Sequence, residues 1–296
     1  MKIDKLPVVL GFFVAFSAVS AYGQAQIGIN GTVDWGRMEI NAVVSLDLAS
    51  AGLKLPAGRT QGEALIASEY LRLIRPGILH LQVDSSSVIG DLVGRGEWTL
   101  QEVERLALRA HSVPPALSQD FGSLSASYSL GMDGIVAAHI RHEHSAEVPR
   151  TLRSVSAPAY TGIIIIASGS MPVHGMQGAA LVRPCLFPKI WDTDMNLIYE
   201  RNMLNPRVGA MARYFSSGGI FAGGPSGLSR EIAAVVGDRP LRIFAQGVFG
   251  VKPTDPVINR EDAMQIIASA DNRNLLRDGR VVIILDDSML KSPIGD

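Results

Sequence analysis

Residues 39–48, with the sequence EINAVVSLDL, alternate between apolar and polar side chains. Every second residue is apolar: Ile40, Ala42, Val44, Leu46 and Leu48. A side-chain period of two predicts a β-strand with one face in a hydrophobic core and one face in water. Such a strand needs helices or a second sheet against its apolar face, so this stretch predicts a layered fold.

Helical spacing follows the strand. Residues 60–75 place apolar side chains on one stripe, and Pro76-Gly77 predicts the end of that helix. Alternation over residues 79–83 predicts a second strand. Thr99 and Glu102 form a capping-box pattern, in which the hydroxyl and the carboxylate each bind a free backbone amide at the start of a helix.

The first half is expected to close with a hairpin. Residues 123–130 alternate serine with larger, mostly apolar side chains, Asp133-Gly134 is a turn dipeptide, and residues 135–142 are expected to form the return strand.

The second half opens with the aliphatic run 163–167, IIIIA, which is typical of a strand buried on both faces. Further strands are expected at residues 241–248 and 281–285. Short helices are expected at residues 228–236 and after Asn259, and residues 186–199 are expected to form a hairpin.

The order of elements predicts the α+β class, with two modules whose helices pack on mainly antiparallel sheets. We expect an N-terminal domain over residues 24–144 and a C-terminal domain over residues 160–296. Residues 145–159 contain two prolines and no apolar period, and they are interpreted as a linker.

Composition limits the possible functions. The 296 residues include 27 Lys+Arg and 28 Asp+Glu, so the basic surplus typical of nucleic-acid binding is missing. A single cysteine excludes a disulfide framework and a multi-cysteine metal site.

Residues 1–23 have the pattern of a secretory signal peptide: lysines at positions 2 and 5, an apolar run, and small residues before Gln24. A membrane anchor is the alternative, but the apolar run is shorter than the roughly 20 residues that span a bilayer. The mature protein is therefore expected in the periplasm.

Three stretches resemble the FlgP-like family of flagellar accessory proteins and small outer-membrane lipoproteins, in a longer two-domain form. They are YTG at residues 160–162 before the aliphatic strand, PCLFPKIWDTD at 184–194, and NREDA at 259–263 with GRVVIILD at 279–286. The resemblance implies a non-enzymatic envelope protein that is often oligomeric and associated with the flagellar motor or the outer membrane.

The chain also departs from that family. Ile166 and Ser168 stand where an acidic and then a basic residue are usual, and residues 171–180 look like an insertion. The lipid-carrying cysteine is missing, so lipid anchoring is not expected.

Several residue groups were candidates for chemistry. Asp192, Asp194 and Asn196 match the first ligands of a calcium loop, but Leu197 and Met203 occupy the glycine and glutamate positions, so a polar hairpin turn is favoured. His139, His142 and His144, with Glu143, could hold zinc weakly, although a solvent-exposed strand end is the preferred interpretation. The glycines from Gly218 to Gly227 lack the lysine of a phosphate-binding loop and predict a flexible surface loop.

Nucleophilic chemistry has two candidates. Ser168 and Ser170 precede His174 but lack a nucleophile-elbow pattern. Cys185 has Arg183 nearby, which could favour a thiolate, yet a buried apolar role is preferred. We therefore expect no catalytic residue, no metal ligand and no cofactor.

Two functions remain open on the sequence alone. The first is a structural or assembly protein of the envelope, an expected homo-oligomer with Met171, Met176 and Phe221 as contact residues and flagellar basal-body components as possible partners. The second is a periplasmic ligand-binding or metal-binding module, or a hydrolase, that uses His142, His144 and the loop from Ser168 to His174.

Overall fold

The structure is a computed structural model that describes residues 26–140, 142–151, 157–221 and 227–295, with the side chain of Phe221 outside this set. The predicted signal peptide, residues 152–156 of the predicted linker and residues 222–226 of the glycine-rich loop lie outside the described residues. The α+β class is confirmed.

The described helices are α1 (Gly58–Leu79), α2 (Ile89–Gly94), α3 (Leu100–Ala107), α4 (Asp133–His139), α5 (Arg230–Val236), α6 (Arg260–Ala268) and α7 (Ala270–Arg277). The strands of the first sheet are β1 (Ile27–Asp34), β2 (Glu39–Asp47), β3 (His111–Ser112), β4 (Ala116–Leu117), β5 (Ser123–Gly131) and β15 (Lys291–Pro293). Those of the second sheet are β6 (Ile163–Ile166), β9 (Ile190–Asp192), β10 (Leu197–Tyr199), β11 (Arg213–Ser216), β12 (Leu241–Phe249), β13 (Asp255–Ile258) and β14 (Val281–Leu285), and β7 (Met171–Pro172) pairs separately with β8 (Ala179–Ala180).

The first sheet is antiparallel in every described pair, as the sequence predicted, in the order β15-β1-β2-β5-β3 with β4 beside β5. The alternation in β2 is confirmed, because Ile40, Val44 and Leu46 are buried whereas Val43 and Ser45 are exposed. Helix α1 covers the apolar face of this sheet.

Helix α1 does not end at Pro76, and the predicted strand at residues 79–83 is wrong. The helix runs on to Leu79, and only Gln82 forms an isolated bridge, to Val88. A proline inside a helix costs one backbone hydrogen bond and strains the preceding turn. Here the following turn buries Gly77 and Ile78, and that packing offsets the cost.

The predicted hairpin at Asp133-Gly134 is also wrong, because these residues begin helix α4. The amide of Met132 donates to the Met38 carbonyl at 2.8 Å and fixes the start of the turn. Ile135 and Val136 are then both buried, which an alternating strand would not allow for adjacent residues. Tertiary burial has overridden the local turn signal.

The second sheet corrects the expectation of mainly antiparallel pairing. Its order is β10-β9-β13-β12-β6-β14-β11, and four of its six strand pairs are parallel. The central strands β6 and β14 are buried almost throughout. Parallel strands joined by helical crossovers are covered by other elements on both faces of the sheet, which explains their uninterrupted aliphatic sequences.

The two halves share one hydrophobic core. A single buried cluster includes residues of α1 and β2 together with residues of β6, β12, β14 and α6. A smaller cluster lies between α5 and the outer side of β6 and β14. The end of the chain returns to the first half, since Ser292 of β15 pairs with Val33 of β1. The segment that was predicted as the C-terminal domain, residues 160–296, therefore contributes its last strand, β15, to the first sheet.

Among the described residues, no helix combines the length and the apolarity that crossing a bilayer requires.

The contact between α1 and the C-terminal strand can be tested at Gly77. A Cβ atom there would lie 2.0 Å from Ile294 Cγ2, so Gly77→Ala should displace the C-terminal segment despite the better helix propensity of alanine. Hydrogen exchange of residues 291–294 should accelerate, and Gly77→Ala combined with Ile294→Ala should restore protection at the neighbouring amides.

Gly94→Ala is the matched control, because its Cβ would meet no atom within 4 Å. Equal exchange at residues 291–294 in both single variants would contradict the proposed packing.

Candidate functional site

Three ionisable groups, Asp84, Asp255 and Cys185, lie near the contact between the two halves of the chain. We call this contact the seam. A loop after α1 enters this seam, and the carboxylate of Asp84 gives the loop its shape. Asp84 Oδ1 accepts hydrogen bonds from the amides of Ser86 and Ser87, both at 2.9 Å, and from their hydroxyls. Burial acts to raise the pKa of Asp84, but these bonds outweigh it and lower the pKa below its ordinary value.

Main-chain hydrogen bonds connect this loop to the second half. The amides of Leu186 and Phe187 donate to the carbonyls of Gln82 and Val83 at 3.0 and 2.8 Å. The amide of Lys252 donates to the Ser85 carbonyl at 2.9 Å. The stretch 184–194, on which the sequence resemblance partly rested, therefore contributes to the seam.

Behind the loop lies a buried carboxylate, Asp255, which is fully shielded from solvent. It accepts hydrogen bonds from the Thr254 hydroxyl at 2.8 Å and the Lys189 amide at 3.2 Å. The Ser85 side chain, in the loop of the first half, also acts to lower the pKa of Asp255. Burial raises the pKa of Asp255, and the hydrogen bonds only partly offset that effect.

Asp255 is not among the candidate residues that the sequence pattern indicates. A signal existed in the segment 254–258, TDPVI, where a carboxylate precedes an apolar run that could only be a buried strand.

Cys185 lies next to this cluster and is buried, as the sequence predicted. Its carbonyl accepts a hydrogen bond from the Tyr214 hydroxyl at 2.7 Å, and its amide donates to the same hydroxyl at 3.1 Å. Burial and the nearby Asp255 raise the pKa of the thiol well above its ordinary value. The thiolate that nucleophilic chemistry requires is therefore disfavoured.

The turn at residues 192–196 forms the β9–β10 hairpin that the sequence favoured over a calcium loop. Asp192 Oδ1 accepts from the amides of Asp194 and Asn196 at 3.0 and 2.7 Å, and its Oδ2 accepts from the Asn196 side chain at 2.8 Å. Asp194 also pairs with Arg260 at 3.1 Å. Both oxygens of Asp192 thus stabilise the turn itself.

The three histidines do not form the predicted solvent-exposed strand end. His139 ends helix α4 and is buried, with its ring centroid 4.6 Å from Trp98 and 5.4 Å from Phe187. His142 Nε2 lies 2.7 Å from the Leu204 carbonyl, whereas His144 and Glu143 are exposed. In the part of the chain that the structure describes, no three metal-binding side chains come together.

The serine candidates lie beside the short β7–β8 hairpin. Ser168 is half-buried and Ser170 is exposed. The backbone amide of His174 donates a hydrogen bond to the Val248 carbonyl at 2.8 Å, and its ring centroid lies 6.4 Å from that of Phe249. The residues named for the rival function, His142 and His174, thus contact different elements.

Two of the three predicted contact residues can be placed. Met171 is buried in β7, so its assignment as a surface contact is wrong, whereas Met176 is 56% exposed. The side chain of Phe221 lies outside the described part. Within the glycine-rich segment, Ile220 is buried against the α5 cluster, which ties the described start of that segment to the core.

The second sheet carries an apolar row on the side where α5 lies. The strand registers align Phe215, Ile284, Ile166 and Phe244 across four neighbouring strands. Ile284 is buried in the α5 cluster, but Phe244 at the end of the row is 64% exposed. Arg242 and Gln246, on the same side of β12, are exposed as well. We call Phe244 and its half-buried neighbour Ile166 the Phe244 patch.

Comparison with known families finds two matches. Residues 26–138 match the model of the N-terminal domain of Treponema pallidum Tp0624, and residues 162–287 match that of its second domain. No curated protein matches the chain.

Tyr214 should be a main support of the segment around Cys185, which lies beside the seam. Tyr214→Phe removes a buried hydroxyl that both donates to and accepts from the backbone of Cys185, so we expect the free energy of unfolding to fall by about 2 kcal/mol. Urea denaturation followed by tryptophan fluorescence measures this change.

Tyr199→Phe is the matched control, since its buried hydroxyl makes one longer bond, to the Met211 carbonyl at 3.3 Å. We expect Tyr199→Phe to lower the free energy of unfolding by less than Tyr214→Phe does. An equal or larger loss for Tyr199→Phe would contradict the special role of Tyr214.

Proposed function

We propose that this chain, which matches the models of the N-terminal and second domains of Treponema pallidum Tp0624, is a non-enzymatic protein exported to the cell envelope. There it serves as a structural or assembly component, through contacts between copies of itself and with other envelope proteins. The flagellar association of the FlgP-like proteins that it resembles is part of the same proposal.

The observation that carries this proposal is the Phe244 patch. Phe244 lies on β12, an interior strand of the second sheet, with β13 and β6 on either side. An aromatic side chain that is 64% exposed on an interior strand leaves a large apolar area in water. Burial of such side chains against a partner is a main contribution to protein association.

The packing of the molecule supports a role in assembly. The shared core and the main-chain bonds at the seam hold both sheets in one unit. A rigid unit loses little conformational entropy when it packs against a second copy, which favours repeated assembly.

The reactive groups that the sequence offered have structural partners, which supports the non-enzymatic part of the proposal. Asp192 holds its turn, His139 packs between aromatic rings, and Cys185 is buried with a raised thiol pKa.

Localisation and deletion test the proposal as a whole. We expect the tagged chain in the periplasmic or outer-membrane fraction, with a mature N-terminus at Gln24, and we expect its deletion to alter motility or envelope structure in cryo-tomograms. An unprocessed cytoplasmic chain, or turnover of a substrate by the purified protein, would overturn it.

Self-association has its own test. Phe244→Glu places a charge in the contact, so the mass measured by light scattering after size exclusion should fall from oligomer to monomer. Val251→Glu is the control, because Val251 is 80% exposed but lies beyond the end of β12 and outside the row. A wild-type protein that is monomeric at every concentration would contradict the contact.

A further inference from the structure

A basic cleft opens at the seam, separate from the Phe244 patch. It has a volume of about 200 Å³ and lies between the end of α1, the segment at Arg183, the loop at Lys252 and the C-terminal segment that contains β15. The first half, the second half and the chain terminus therefore each contribute one wall.

Three lining residues give the cleft a positive charge. Of its sixteen described lining residues, Arg183, Lys252 and Lys291 are cationic, His80 adds an imidazole and none is acidic. The chain as a whole has 27 basic and 28 acidic residues, so this grouping is a local property and does not follow from composition.

The backbone fixes where these side chains begin. The amide of Arg183 donates to the Pro253 carbonyl at 2.8 Å, and that of Lys252 donates to the Ser85 carbonyl at 2.9 Å. Lys291 is held by its pairing with Asp34 in the β1–β15 register. The cleft therefore exists only while the seam and the C-terminal strand are in place.

The neutralisation of these charges is incomplete. Lys291 Nζ lies 3.5 Å from Asp34 Oδ2, and Asp34 Oδ1 accepts from the Arg37 amide at 3.0 Å. Within the described ranges, the ion pairs involve neither Arg183 nor Lys252. His80 uses Nδ1 to donate to the Pro76 carbonyl at 2.7 Å, so the neutral ring presents Nε2 as an acceptor and the anion-binding donors come from the other residues.

We propose that this cleft binds a compact anion that carries several negatively charged oxygens, as phosphate or carboxylate groups do. Arginine and lysine donors suit such oxygens, and Ser288 and Ser292 line the same wall. The volume is below the roughly 300 Å³ at which sites for drug-sized ligands begin, so the site suits an anionic end group or a small free anion.

Binding should stabilise the fold. An anion that contacts cations from three segments of the chain binds the folded state and has no such site in the unfolded chain, so the melting temperature must rise with its concentration. A bound anion would thereby hold β15 in place beside the seam.

The test uses inorganic pyrophosphate and citrate as probes, with sodium chloride at equal ionic strength as the reference. Isothermal titration and thermal unfolding of the mature chain should show saturable binding and a rise in melting temperature with at least one probe. The two arms distinguish phosphate chemistry from carboxylate chemistry. A melting temperature that follows ionic strength alone would overturn the site.

Matched variants locate the binding. Arg183→Gln with Lys252→Gln should weaken binding by roughly tenfold or more, since each removes a charged hydrogen bond to the anion. Lys54→Gln with Arg230→Gln removes the same charge at exposed positions outside the cleft and should bind like the wild type.

Arg183→Glu alone is a second variant, and its exposed side chain makes a folding defect unexpected. It should abolish binding while leaving the melting temperature without anion near that of the wild type. Equal weakening in the cleft pair and the control pair would show general charge attraction and would overturn the proposal.

Discussion

The main-chain hydrogen bonds that join residues 82–85 to Leu186, Phe187 and Lys252 are the constraint on which the rest of the structure depends. Backbone amides and carbonyls that leave water must find partners, so these bonds favour the register in which the two halves meet. That register places the Asp84 loop over Asp255 and brings Trp35 edge-on to Tyr214, with ring centroids 6.1 Å apart. It also forms the walls of the basic cleft.

The shared core fixes the relative positions of the two surfaces on which our proposals rest. A single core that passes through both sheets gives a unit whose surfaces keep their positions relative to one another. The Phe244 patch and the basic cleft differ in chemistry, one apolar and one cationic. In our proposals a second copy binds at the Phe244 patch and a small anion binds in the basic cleft, so a loss at either surface can be measured separately.

Periodicity predicted the elements whose burial is decided locally. The alternation in β2 and β5, the aliphatic runs of β6 and β14 and the Thr99 capping box all fold as expected. The predictions failed at Pro76 and at Asp133, where a breaker and a turn dipeptide lie within helices. In both cases the distant partner, Ile294 or Met38, is invisible to a local pattern.

The sequence by itself determined the class, seven of the fifteen described strands, the helices capped by Thr99 and Asn259, and the burial of Cys185, because each follows from the spacing of side chains along a short stretch. Only the tertiary structure decided that the second sheet is largely parallel, that the last strand joins the first sheet, and that Met171 is buried. It alone brought His80, Arg183, Lys252 and Lys291 to one cleft. These residues are far apart along the chain, and their proximity depends on a packing free energy summed over the whole core, which no local window contains.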